Sequence, residues 1–416
     1  MDDNKNSMEQ TQVVVIGAGP AGVLAATLLH RQGHQVLVLE RQAFPRFSIG
    51  ESLLPQCMSF LAEAGLLEVV DQAGFQYKDG AAFRHRGRYT DFLFTDKVSA
   101  GPGTTFQVQR ARFDALLAEG AQAQGVEIRF RHAITAVDFG EDKANIQALD
   151  EQGRPYAIQA DFVLDASGFG RVLPRLLDLE RPSGFPSRQS LFTHVRDHID
   201  CPDHDRNKIL ISVHPEHRDV WYWLIPFSDG SCSLGVVAEE SFFAARGEAD
   251  NQAKLQALVA EEPDLARLLK NAEYPNPVNA IQGYSAKVSR LYGERFALLG
   301  NAGEFLDPVF SSGVTIAFKS ASLAAKALDR QLRGEAVDWQ GEFAAPLQLG
   351  VDVFRTYVQG WYEGGFQDVI FYADQQPAIK QMICAILAGY AWDGDNPFVA
   401  QPQRRLKVLT ELCRAG

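Results

Sequence analysis

Cysteine is scarce and scattered in this chain of 416 residues: Cys57, Cys201, Cys232, Cys384 and Cys413 form no CxxC pair. That excludes a disulfide framework and a cysteine-built zinc site, and it fits a reducing cytoplasm. The nine histidines show no ligand spacing, so no metal is expected. Positive charge is also in deficit. A net charge of −12, with no basic arm to offset it, repels nucleic acid phosphates. No apolar run approaches the ~20 residues that span a bilayer. The opening MDDNKNSMEQ is acidic and polar, unlike a secretory signal. Paired carboxylates and a serine or cysteine triad are missing too. The expectation is a soluble cytoplasmic protein with no nucleic acid partner, no membrane span and no metal.

What remains is a globular composition, 46% apolar and 22% charged, in a chain long enough for two or three cores. The first ordered segment, QVVVIGAGPAGVLAATLLHRQGHQVLVLER (12–41), reads as one βαβ unit. VVVIG is a near-continuous apolar run, as in a buried parallel strand. The helix after it closes at Gly33, and QVLVLE is the second strand. Between strand and helix, GAGPAG fits GxGxxG. Gly17 allows the tight turn, Gly19 lets the backbone approach a pyrophosphate, and Gly22 lets helix and strand pack closely, with Ala21 on the same turn. Glu40 ends the second strand, where its carboxylate can accept from a ribose hydroxyl, and Arg41 follows it. Together these features point to dinucleotide binding.

Further along, FDALLAEGAQAQG (113–125) reads as a second helix and VEIRFRHAITAVDF (126–139) as a strand. ADFVLDAS (160–167) is another buried strand leading into a glycine turn. From about 190 to 285 the pattern alternates, with VWYWLIPF and SCSLGVVAE flanking a tight Ser228-Asp229-Gly230 hairpin. RFALLGNAG (295–303) returns to a buried strand, and VTIAFKSASLAAKALDRQLRG is a long helix closed by Gly334. The tail reads as helices with aromatic-rich breaks. The order implies an α/β fold of two interleaved domains. A Rossmann-like nucleotide-binding domain takes 10–75, 105–185 and 286–335. An antiparallel β-sheet substrate domain takes 76–104 and 186–285, and a C-terminal helical segment takes 336–416.

Two later stretches separate FAD from NAD by resemblance. LDASGFG (164–170) and LLGNAGEFLDPVFSSGV (298–314) resemble the second and third flavin motifs of the FAD-dependent monooxygenase superfamily with the hydroxybenzoate-hydroxylase-like fold. VQRARFDALL (108–117) resembles the helix whose arginine, here Arg110, approaches the cofactor. The resemblance implies FAD as cofactor, held also by Asp165, Gly168, Asn301, Asp307, Gly313 and Val314. Asn301 departs from the aspartate many members carry. The helix starting near Ser312-Gly313 would aim free N–H groups at the flavin, and the same groups can hold a halide ion.

Within that superfamily the chain resembles the flavin-dependent halogenases, in their phenol-type and carrier-dependent branch. PRFSIGESLLPQ (45–56), FQYKDGAAF (75–83) with Lys78, WYWLIP (221–226) and FLDPVFSSGV (305–314) carry that likeness. It implies a separate flavin reductase supplying reduced FAD, and chloride or bromide oxidised to hypohalous acid. That acid would travel to Lys78, whose ammonium orients it or whose neutral amine forms a haloamine. An electron-rich aromatic, free or carrier-protein-tethered, would take the halogen. Lysine suits either role, because burial can lower its pKa. A surface lysine in a turn beside Asp79-Gly80 is the plain alternative.

On a strand, Trp221, Trp223 and Ile225 share one face and Tyr222 and Leu224 the other. That indole face is either ordinary core or a wall between substrate and flavin. Some members of the branch link an aspartate at the position of Asp307 to the flavin; otherwise Asp307 caps its loop. Thr315 stands where a histidine is expected. Trp361, Tyr362, Phe366, Phe371, Tyr372, Tyr390 and Trp392 are placed to line an aromatic pocket or to pack between domains. Arg84, His85, Arg86 and Arg88 form a solvated turn or receive an acidic partner. Two competing functions share the fold: a flavin monooxygenase or dehydrogenase without halide chemistry, and a partner-binding flavoprotein with little catalysis.

Overall fold

The run VVVI has no polar side chain to turn toward water, and it lies at the centre of a sheet. In the computed structural model, which describes residues 8–283 and 285–415, the strand Glu9–Ile16 is flanked on both sides by parallel neighbours. Val13 pairs with Val36 on one side and with Phe162 on the other. Most of the acidic MDDNKNSMEQ leader lies outside the described residues. Eight strands form this first sheet. Its main path runs Tyr292–Gly293, Phe296–Leu298, Pro155–Asp165, Glu9–Ile16, Val36–Glu40 and Glu127–Phe130. The helices Pro20–Arg31 and Gly313–Leu332 pack against each other.

The segment 126–139 differs from the single strand expected. Arg131 adopts φ 61°, a left-handed turn that ends the parallel strand Glu127–Phe130. The chain then leaves as Ala133–Phe139, antiparallel to Ala144–Leu149. Period and composition are alike on both sides of the break, so only the turn records it.

A second sheet of seven strands runs Asn279–Gln282, Arg188–Arg196, Ser231–Glu239, Trp221–Pro226, Lys208–Val213, Gly80–His85 and Arg88–Leu93. It is antiparallel except between Lys208–Val213 and Gly80–His85, which run parallel. A parallel pair needs a long crossover. Here the crossover is the chain's return through the first sheet. The tryptophan strand Trp221–Pro226 is buried on both faces. Trp221, Trp223 and Ile225 join the main core shared with the first sheet. Tyr222 and Leu224 join a separate core under the helices Asn251–Glu261 and Pro263–Leu268. Period-two alternation thus serves two cores at once.

The C-terminal helices, from Ala345–Tyr362 to Pro402–Ala415, close over this assembly. Trp361 and Phe366 pack against the core. Trp361 sits 5.8 Å from Phe310 and 5.9 Å from Phe83, and Phe366 sits 5.4 Å from Phe310. In the basic cluster, Arg84 is held between Asp203 and Asp264, while Arg86 occupies the turn at φ 50°. No helix among the described residues is long and apolar enough to cross a membrane.

The Trp223 indole lies flat across Gly235 on the neighbouring strand, where an added Cβ would come within 2.2 Å of the ring. Gly235→Ala is therefore expected to destabilise the sheet by about 1–3 kcal/mol, the usual cost of overpacking a filled core. A lower melting temperature, with the far-ultraviolet spectrum retained, is the result that checks it.

Candidate active site

The glycine loop is shaped by close contacts that exclude side chains. Gly17 adopts φ 95°, and a Cβ there would lie 2.8 Å from the Ala166 carbonyl oxygen. A Cβ on Gly22 would lie 1.9 Å from the Gly17 carbonyl oxygen, so no other residue fits at the turn. At Gly19 a Cβ would meet only the tip of Arg46, 3.5 Å away, which leaves the backbone open to a ligand. No side chain caps the helix beginning there, so its first N–H groups are available to a phosphate. Glu40 accepts from the backbone N–H of Ala18 and of Gln42, each at 2.9 Å. A carboxylate has about four acceptor sites, so capacity for a ribose hydroxyl remains.

Gly17, Gly19, Ala21, Glu40, Arg41, Arg110, Gly168, Asn301, Gly313 and Val314 line one cavity of about 540 Å³. Trp221, Trp223 and Ile225 line the same cavity. Residues from six separate chain segments therefore meet at one space. Asp165 stands behind the wall and shapes it. Its carboxylate accepts from the N–H of Ser167 at 2.8 Å and of Leu173 at 2.6 Å, and burial pushes its pKa up. The turn so held presents Gly168 at φ 60°, with nothing within 4 Å of a Cβ. Arg110 is bidentate on Asp114, at 2.7 and 2.9 Å, and donates to the Ile49 carbonyl at 2.6 Å. It braces segment 49–50 at the cavity edge. The cradle, the acidic strand end and the open glycine turn fit an extended dinucleotide.

Lys78 is not in a surface turn. It ends the short strand Gln76–Lys78, paired with Thr105, and is fully buried. Its Nζ donates to Ser52 Oγ and to the Leu53 carbonyl, both at 2.7 Å, and lies 5.3 Å from the Phe94 ring centre. Desolvation lowers its pKa from the ordinary range to about 7. Ser52 lines the cavity, so Lys78 stands one side chain behind the wall.

Asp307 also lies behind the wall. Its carboxylate accepts from the Tyr362 hydroxyl at 2.8 Å and from the Val309 N–H at 3.1 Å, capping the turn Pro308–Phe310. Burial raises its pKa to about 6, against the bonds from Tyr362 and Val309. Ser312 precedes the helix Gly313–Leu332 and is 2% exposed, with no side-chain cap bond. Thr315 is buried with its hydroxyl 3.1 Å from Cys57 Sγ. The position expected to hold a histidine therefore carries no titratable ring.

Several residues escaped the sequence reading. Glu51 lines the cavity and bonds His194 Nε2 at 2.7 Å. Burial opposes protonation of that ring, yet the Glu51 carboxylate carries its pKa above the usual value. Glu51 and Ser52 stood inside PRFSIGESLLPQ, where the only carboxylate of the stretch, beside a hydroxyl, was a usable signal. Tyr362, which accepts from Trp221 Nε1 at 2.9 Å, and His194 offered none. Their partners are 141 and 143 positions away. Among the described residues no cluster could hold a metal.

Comparison with known proteins agrees with this geometry. The family model described as FAD binding domain matches residues 10–341. The crystal structure of a flavoprotein/dehydrogenase from Cytophaga hutchinsonii is 43% identical with a TM-score of 0.95, over 98% of this chain and 100% of that one. Sulochrin halogenase from Aspergillus terreus is 31% identical over 381 residues, 84% of this chain and 68% of that protein. The 1H-pyrrole-2-carbonyl-(peptidyl-carrier protein) chlorinase of Pseudomonas fluorescens is 27% identical over 431 residues, 96% of this chain and 93% of that protein. By its matched domain and its relatives, the chain belongs to the FAD-binding-domain family and, within it, to the flavin-dependent halogenases.

Proposed function

We propose that this protein halogenates an electron-rich aromatic of phenol or pyrrole type, free or carrier-tethered, through the amine of Lys78. The observation that carries the reading is a fully buried lysine without a carboxylate partner among the described residues, placed behind Ser52 at the edge of a cavity that Trp221 and Trp223 also line. Bound and reduced, FAD supplies the oxygen activation that converts chloride or bromide to hypohalous acid, with a separate reductase delivering the electrons. The backbone at Ser312-Gly313 is the proposed halide position, because a helix start favours an anion.

Lys78 then acts as a nucleophile. With its pKa lowered to about 7, a substantial share of the amine is neutral near physiological pH. The lone pair takes the halogen from hypohalous acid, and the displaced hydroxide leaves as water with one amine proton. The haloamine passes its halogen to an aromatic carbon, and the carbon's proton returns to the amine. Ser52 and the Leu53 carbonyl orient Nζ throughout. The wall of Trp221 and Trp223 keeps the arene off the flavin, where direct oxygenation would compete.

A second reading is a monooxygenase or dehydrogenase without halide chemistry. Thr315 in place of histidine favours it, as does the name carried by the Cytophaga hutchinsonii relative. The two readings part in one assay. With a flavin reductase, FAD and either halide, phenols and pyrroles are expected to gain the mass of one halogen. NAD(P)H oxidation by the isolated protein, with no such mass gain, would sink halogenation.

In the same assay Lys78→Ala is expected to lose at least a hundredfold in halogenation while binding FAD as tightly as the parent, measured by flavin fluorescence. The halogenation rate should rise with pH through about 7 and level off above it, because burial lowers the lysine pKa and the neutral form reacts. A rate that falls over that interval would assign the work to the ammonium. Both Asp307 oxygens are already engaged behind the wall. Denaturing the purified holoprotein should therefore release all its flavin into the filtrate; flavin retained on the polypeptide would show a covalent link.

A further inference from the structure

The tryptophan wall is tied down from behind at both nitrogen ends. Trp223 Nε1 donates to Ser233 Oγ at 3.0 Å, within the same sheet. Trp221 Nε1 reaches out of the sheet instead, to the Tyr362 hydroxyl at 2.9 Å. That hydroxyl passes its own proton toward Asp307, at 2.8 Å. The Tyr362 ring is clamped in turn by Arg188, whose guanidinium carbon lies 3.4 Å from the ring centre. Three parts of the molecule thus meet in one chain of hydrogen bonds: the wall strand, the end of helix Ala345–Tyr362, and the loop leading to the flavin helix Gly313–Leu332.

We propose that Tyr362, held by Asp307, is the positioning residue that fixes the Trp221 indole and so keeps hypohalous acid on its route to Lys78. This rests on the halogenase reading. Trp221 is 1% exposed, and its N–H has no water to turn to. A buried donor deprived of its acceptor pays a desolvation cost and moves to find another partner. An indole is also a broad plate, so a modest rotation opens a gap beside it. With both nitrogens tied back, the cavity meets only hydrocarbon on this side. Away from the indoles, Ser52 lines the cavity and is bonded to Lys78, so a hydroxyl leads hypohalous acid toward the amine. With Trp221 loose, the acid leaves through the wall.

Tyr362→Phe removes one oxygen and keeps the ring under Arg188. In the reductase-coupled assay with FAD, bromide and a phenol, we expect the ratio of halogenated product to reduced flavin consumed to fall at least fivefold. The missing oxidant should appear as hypobromous acid captured by a dimedone trap, with flavin binding unchanged. Nitrogen-15 labelling of the indoles gives a second readout that needs no turnover. The Trp221 N–H resonance, assigned from Trp221→Phe, should move upfield in Tyr362→Phe. An unmoved resonance would show that the bond does not form. A moved resonance with unchanged product yield would show that it positions nothing. If the parent enzyme itself makes no halogenated product, the functional reading fails, and the positioning role falls with it whatever the resonance does.

Discussion

An amine taken out of water without a counter-charge sets the terms for much of this structure. Lys78 gives up its hydration shell and receives two neutral acceptors and an aromatic face in return. A carboxylate in that place would hold the ammonium firmly charged. Its absence lets the pKa settle near 7, and the lone pair becomes usable. The cost of that burial is borne by the surrounding packing. The short strands Gln76–Lys78 and Thr105–Gln107 fix the lysine backbone, and the segment after Gly50 supplies both acceptors. That same segment is braced by Arg110 on the flavin side. The lysine and the flavin cavity are therefore set by one stretch of chain.

The flavin end shows the converse use of charge. Asp165 and Asp307 are buried and spend their carboxylates on backbone N–H groups and, at Asp307, a hydroxyl. They shape loops behind the cavity and do not line it. Glu40 and Glu51 differ, since both line the cavity, Glu40 fixed by the N–H of Ala18 and Glu51 by His194.

How much of this was readable from sequence depends on the distance over which each feature is encoded. The βαβ unit, the glycine cradle and the two faces of VWYWLIP are local, and their periods survive in the fold. The split at Arg131 was not legible, because a left-handed arginine leaves no compositional mark. The parallel pairing of Gly80–His85 with Lys208–Val213 was hidden by the domain that lies between them in sequence. Lys78 was legible as a residue, yet its burial was not. A lysine beside Asp79-Gly80 looks solvated until the strand from Thr105 is laid across it. The bonds Glu51–His194 and Trp221–Tyr362 join side chains far apart in sequence, and no spacing rule reaches that far.

The tryptophan strand also explains why structure and function resist separation here. Its even positions hold up the core beneath the helices Asn251–Glu261 and Pro263–Leu268, with the Tyr222 hydroxyl donating to the Leu258 carbonyl at 2.9 Å. Its odd positions hold the main core and form the cavity wall. A large change at Trp221 or Trp223 empties core volume and opens the wall together, so lost activity would not identify which mattered. The polar atoms behind the indoles are different. The Tyr362 oxygen and the Ser233 oxygen contribute little volume; Ser233 bonds the Trp223 nitrogen, and Tyr362 bonds the Trp221 nitrogen and Asp307. Under the proposed partition role, substitutions at these two oxygens, rather than at the indoles, would separate wall from core.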